Sequence, residues 1–386
     1  MSEAPLLRPV PGPAACPVSS TPALRRTLGA MALLALAGGL PASLQAQVPV
    51  QAPPSVPAPG SGVAGLTTPM VLPLTFSSDR AAALFYLERQ GRRDAHILQG
   101  ALGLLAASGG PIPASPSTAG QRLEGSPRWV LDAGFGVVRG RLPAGGGGET
   151  VSREERRALL LAPRLTLAAG LFEGFSPAPT VGGLGSLDVV GELRVLPVPQ
   201  PDHLDGRAVA WGVGARVGVI RESFSLPGVT LVAMHRRVGG VTHRGTPVEI
   251  PLTSGDRVVA GYDVEVAPRV SSLRAVVGKD LWEVGVSGGV QRDRIRGNVR
   301  IPLTEQPGTP GETPVPGTGA RAGMPVDRTT WFLGVNRTWV VTQVTAEVGW
   351  SPAPSGPSDP VGASQLPPLG GASSALSGAI SFRITY

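Results

Sequence analysis

From residue 128 to the C-terminus, stretch after stretch of the chain alternates apolar residues with small or polar ones. In 129–137, Trp129, Leu131, Ala133, Phe135 and Val137 oppose Val130, Asp132, Gly134 and Gly136. In 209–219, Val209, Trp211, Val213, Ala215, Val217 and Val219 oppose Ala210, Gly212, Gly214, Arg216 and Gly218. Segments 161–171, 187–195, 262–266, 282–291 and 340–350 repeat the pattern. Successive side chains of a strand point to opposite faces, so each segment is a strand with one apolar and one small-or-polar face. The fold class is all-β and antiparallel.

Two architectures use such strands. A soluble sandwich buries the apolar face and wets the other. A membrane barrel turns the apolar face to lipid and lines its interior with the polar one. Segments of 10–15 residues suit a tilted membrane span and are long for a sandwich. The polar face mixes Gly, Ala and Ser with Arg, Asp and Glu, as a crowded lumen requires. Trp129, Trp282, Trp331, Trp339 and Trp350 fall near strand ends, where barrels carry aromatic girdles. Trp339 alone is out of step, its parity in a strand 338–350 placing it inside. Charged residues are only 16% of the chain, and no long uninterrupted apolar run follows residue 46.

Ten strands are predicted: 128–140, 158–172, 186–197, 207–221, 228–238, 257–278, 281–302, 328–336, 338–350 and 374–386. Connections after odd-numbered strands are mostly long and those after even-numbered strands mostly short, down to Lys279-Asp280 and Arg337. That rhythm describes an up-and-down transmembrane β-barrel with long loops at one end. Splitting 257–278 and 281–302, or pairing 83–90 with 95–105 across Gln90–Asp94, gives the alternative count of 12. Ser78 as an N-cap and the helix formers in 80–90 read instead as periplasmic helices.

Upstream, Arg25 and Arg26, the apolar run Leu28–Leu40 and Leu44-Gln45-Ala46 read as a secretory signal peptide over 1–46. Residues 47–127 follow as a periplasmic segment that begins as a flexible Pro/Ala-rich tether. The barrel occupies 128–386. Cys16, the only cysteine, lies upstream of the cleavage site, so the exported chain has no thiol. The formal charge is +7, and Lys279 is the only lysine among 34 basic residues. No arginine run interleaves with aromatics, which argues against nucleic-acid binding.

The last strand reads SALSGAISFRITY, with Ile380, Phe382, Ile384 and Tyr386 on one face. Here the sequence resembles bacterial outer-membrane β-barrel proteins, whose final strand ends on an aromatic after alternating apolar residues. The resemblance implies an outer-membrane location and contact with outer-membrane lipid. It further implies that periplasmic chaperones and the barrel-assembly machinery handle the chain, with those four residues as the signal.

No motif announces chemistry. Gly145–Gly148 lacks the Lys-Ser/Thr of a phosphate loop. His235 and His243 bracket a turn without a carboxylate or cysteine pattern, so neither a metal, nor a cofactor, nor a catalytic residue is assigned. The chain is expected not to be an enzyme; a rim enzyme using those histidines, or a ligand-binding sandwich, are the alternatives. Parity puts Asp132, Arg164, Asp188, Glu192, Arg194, Arg216, Asp263, Glu265, Arg274, Glu283 and Glu347 in the lumen. Mixed signs there suit a paired internal network, because unpaired buried charge is costly. A structural, adhesive or narrow-pore role follows, ten strands leaving little room for flow.

Overall fold

A computed structural model describes residues 79–112, 122–123, 125–143, 155–177, 182–197, 204–205, 207–245, 247–251, 257–306, 315–323, 325–354 and 372–385. The signal peptide, the tether over 47–65, the glycine run at 145–148 and Tyr386 lie outside the described residues.

Ten long strands form the wall. They are β1 (Trp129–Pro143), β2 (Glu155–Phe172), β3 (Ser186–Pro197), β4 (Arg207–Ile220) and β5 (Gly228–Val238), followed by β6 (Arg257–Leu281), β7 (Val284–Gln306), β8 (Val326–Trp339), β9 (Thr342–Ser351) and β10 (Ala375–Thr385). Each pairs antiparallel with its neighbour in sequence, and β10 pairs with β1 to close the barrel. Closure leaves no unpaired wall edge. Short strands at 204–205, 241–244, 248–251 and 315–323 extend the wall at the long-loop end.

The outer face is apolar through the middle of the wall. Leu131, Phe135, Leu165, Val189, Leu193, Val213, Leu333 and Val348 are all exposed there. A sandwich would have buried this face.

Strands 257–278 and 281–302 are not split: each is one element, longer than expected, and the hairpin between them turns at Trp282-Glu283 rather than Lys279-Asp280. The hairpin after β8 turns at Val340-Val341, not at Arg337. Trp339 therefore belongs to β8, continues the outward series Trp331, Leu333, Val335, and is exposed at its end. Its apparent misplacement came from assigning it to the following strand. Both tight turns hold a residue at positive φ, Trp282 at 60° and Val340 at 49°, as two-residue hairpin turns matched to strand twist demand.

Inside the barrel runs α1 (Asp79–Ala107). It is one unbroken helix, so the hairpin across Gln90–Asp94 does not form, and it occupies the lumen rather than the space outside the wall. Side chains from Asp94 to Ala107 are buried on every side of the helix. A helix with side chains is about 10–12 Å across, and this one is thinned by glycine where it meets the wall. A Cβ at Gly91 would stand 2.5 Å from Ile301 Cγ2, and one at Gly103 2.6 Å from Ile295 Cδ1.

The helix explains a second departure. Nearer the short turns, β6 and β7 point Ser272, Arg274, Ser287 and Gln291 inward and Leu273, Val277 and Val286 outward. Nearer the long loops the polarity inverts while the alternation continues. Tyr262, Val264, Val266, Ile295, Val299 and Ile301 turn inward to join Leu87, Leu98 and Leu102 in one apolar core. Glu265, Arg269, Arg292, Arg294, Arg296 and Arg300 turn outward. In this upper half the helix supplies the apolar partner inside and charged side chains stand exposed outside, so the hydrophobic effect acts inward.

Candidate functional site

The site is the midsection of the lumen, where the C-terminal end of α1 meets a ring of wall charges. An α-helix leaves its last carbonyls without intrahelical partners and carries partial negative charge there. Arg194 Nη1 donates to Leu105 O at 3.1 Å and to Ser108 Oγ at 3.3 Å. Arg164 Nη1 donates to Gly109 O at 3.1 Å and also to Gly110 O. Gln291 Nε2 donates to Ala107 O at 3.1 Å. Gly109 and Gly110 take φ of 73° and 55°, the left-handed region that ends helices at glycine. Gly136 leaves room for this junction, since a Cβ there would stand 2.4 Å from Ser108 Oγ and 3.0 Å from Arg194 Nη1.

The same arginines are held by carboxylates. Asp132 Oδ1 accepts from Arg164 Nη2 at 3.2 Å, and Asp132 Oδ2 accepts from Ser381 Oγ at 2.8 Å with Arg383 Nε 3.7 Å away. Glu192 bridges Arg194 and Arg236, the latter at 3.0 Å. Arg216 pairs with Asp188 at 2.8 Å. Arg274 grips Glu347, donates to Gln291 Oε1 at 3.0 Å and lies over the Phe332 ring at 3.4 Å. Among the described residues, Arg164, Arg194, Arg216, Arg236, Arg274 and Arg383 are buried beside Asp132, Asp188, Glu192, Asp293 and Glu347. The carbonyls of α1 take up donors that the carboxylates leave over.

Of the eleven charges predicted for the lumen, Asp132, Arg164, Asp188, Glu192, Arg194, Arg216, Arg274 and Glu347 are there, buried and joined in this network. Three are not. Asp263 and Glu265 face outward in the inverted upper half of β6. Glu283 sits exposed in the Trp282-Glu283 turn, where it pairs with Arg337 at 2.7 Å, because the hairpin is longer than expected. Arg236, Asp293, Arg328 and Arg383 are lumen charges that the parity rule finds once it is applied to β5, β8, β10 and the far half of β7.

The two candidate histidines lie on opposite faces. His235 points outward against Ser271 Oγ at 3.1 Å, whereas His243 is buried on the wall extension 241–244, opposite Val264. They share no site. Among the described residues no three His, Cys, Asp or Glu side chains gather as a metal site. No helix among the described residues is long and apolar enough to cross a membrane.

A closed ten-strand wall, apolar outside, with ion pairs inside and long loops at one end, decides the class. The architecture is that of an outer-membrane β-barrel. No protein-family model and no curated protein matches the chain. Solved outer-membrane barrels resemble it in outline. The translocator domain of the autotransporter NalP from Neisseria meningitidis is 11% identical at a TM-score of 0.32, over 80% of this chain and 98% of that one. The outer membrane protease OmpT from Escherichia coli is 10% identical at a TM-score of 0.29, over 69% and 100%. The toluene transporter TodX from P. putida is 10% identical at a TM-score of 0.23, over 70% and 92%.

Proposed function

We propose that this outer-membrane barrel is a non-enzymatic anchor, plugged by its own helix, which enters the lumen from the long-loop side. The direction of α1 carries the reading. Its earlier residues touch the long-loop end of the wall: Tyr262 Oη donates to Asp94 Oδ2 at 2.5 Å, and His96 Nδ1 accepts from Ala372 N in the approach to β10 at 3.2 Å. Its last residues reach the midsection, where Gly109 packs on Ala379 and Gly110 on Arg274. β1 then starts at the short-turn end. The chain thus runs down the lumen before it enters the wall, and α1 begins toward the long-loop mouth. With long loops outside, as in barrels of this kind, the start of α1 lies on the cell-surface side.

The outward-facing Ile380 and Phe382 support handling of β10 by the assembly machinery. The test uses the absence of cysteine after residue 16. An Ala353→Cys variant, exposed on the long connection after β9, is expected to react with a membrane-impermeant maleimide on intact cells. Labelling only after the outer membrane is permeabilised would overturn the orientation.

A further inference from the structure

Above the apolar band, the outer wall carries a cluster of arginines where β5, β6 and β7 run side by side. Arg237, Arg269 and Arg296 are direct cross-strand partners, one on each strand, and all three point outward. Arg292, Arg294 and Arg300 continue the cluster along β7. Like charges placed opposite one another across a ladder are destabilising. Protein carboxylates do little to offset them. Asp327 approaches Arg294 at 3.6 Å with both side chains about half exposed, and Glu265 stands opposite Arg300. Arg237 lies over the Trp211 ring, 5.6 Å from its centroid. Among the described residues no carboxylate forms an ion pair with Arg269, Arg292 or Arg296.

Directly beneath lies an apolar groove of about 560 Å³ on the outer wall, lined by Val277, Val290, Trp331, Leu333, Val348 and Trp350. Trp331 and Trp350 are cross-strand partners within it. Arg292 is the next outward residue after Val290 on β7, and Arg139 is the cross-strand partner of Leu376 at the far side of the groove. Cations therefore stand along the upper edge of an apolar trough, where the exposed outer wall turns from apolar to charged.

We propose that this wall binds a phosphorylated, multiply acylated glycolipid of the outer leaflet, the chemistry of lipid A. One acyl chain lies in the groove and the phosphates meet Arg292, Arg294 and Arg296. Strands are about 4.8 Å apart, so the row Arg237–Arg269–Arg296 spans roughly 10 Å, and the series along β7 extends further still. A headgroup with two phosphates matches that spread better than one with a single phosphate. Guanidinium groups also pair with phosphate through two parallel hydrogen bonds. The proposal rests on the outer-membrane reading with the long loops outside.

Native mass spectrometry of the full barrel in detergent tests it, with diphosphoryl lipid A competing against phosphatidylglycerol and phosphatidylcholine. The wild type is expected to retain lipid A preferentially. R292Q/R294Q/R296Q is expected to lower that affinity at least tenfold without changing phosphatidylcholine binding, and the matching triple lysine variant is expected to recover part of it. Equal retention by the wild type and the glutamine variant would overturn the site. Retention of phosphatidylglycerol as tight as that of lipid A would overturn the glycolipid assignment in favour of an unselective basic surface. Unboiled gel mobility reports folding separately: loss of the compact band in the wild type is a failure of the barrel reading, not of this site. If the triple variant loses that band, Arg294→Glu alone is expected to weaken lipid A binding at least threefold, and unchanged binding would again overturn the site.

Discussion

Arg194 holds four groups at once: the Glu192 carboxylate on its own strand, the Leu105 carbonyl at the end of α1, and the Ser108 hydroxyl and Gly110 carbonyl just beyond it. Breaking a buried ion pair from one side is far costlier than never having built it, because the remaining partner keeps its burial and loses its compensation. Arg194→Ala leaves Glu192 with Arg236 alone and strips the helix end of a donor. A loss on the order of 3–5 kcal/mol is expected, read as a lower guanidinium midpoint for the barrel refolded in detergent. Arg337→Ala offers the contrast. Its Glu283 partner sits in a solvent-exposed turn, and exposed pairs are worth little, so the midpoint is expected to stay in place. Equal losses in the two variants would mean that the lumen pairs are as wet as those in the turns.

Asn298 and Val299 are adjacent in β7 and face opposite ways, Asn298 outward and Val299 into the core around α1. Val299→Asp is expected to destabilise by about 3–5 kcal/mol, the cost of a buried charge without a partner. Asn298→Asp is expected to stay within about 0.5 kcal/mol. Lower in the wall the outside is lipid, so outward Val213→Arg is expected to cost about 2–4 kcal/mol. Unfolding midpoints of the three variants map where the inversion falls. It also marks where sequence reading stops. All ten strands were legible because alternation survives at every height of the wall. Alternation does not say which face is inside, and a rule that sends apolar residues outward misplaced Asp263 and Glu265 as soon as a helix lined the interior. Helical composition was legible in 80–90, but neither the unbroken length of α1 nor its place in the lumen was. Gly91, Gly100 and Gly103 let it lie against the wall; a Cβ at Gly100 would stand 2.9 Å from that of Ala372. Those contacts are long-range and leave no local signal.

At the scale of the whole molecule, wall and plug depend on each other. Eight strands are filled by side chains and sixteen enclose a water channel; ten accommodate one helix slimmed by glycine at Gly91, Gly100 and Gly103. The arginines that end the helix are also those that neutralise the wall carboxylates, so removing α1 would leave cations facing water in an open lumen. Single-channel recording in a planar bilayer separates plug from passage. The intact barrel is expected to give no steady current, whereas deletion of residues 79–110 is expected to open discrete conductance steps with anion preference, set by Arg164, Arg194, Arg216 and Arg236. Unboiled gel mobility confirms that the deleted form still closes. If the intact barrel conducted as well as the deleted one, α1 would not seal the lumen, and the narrow-pore role would displace the anchor.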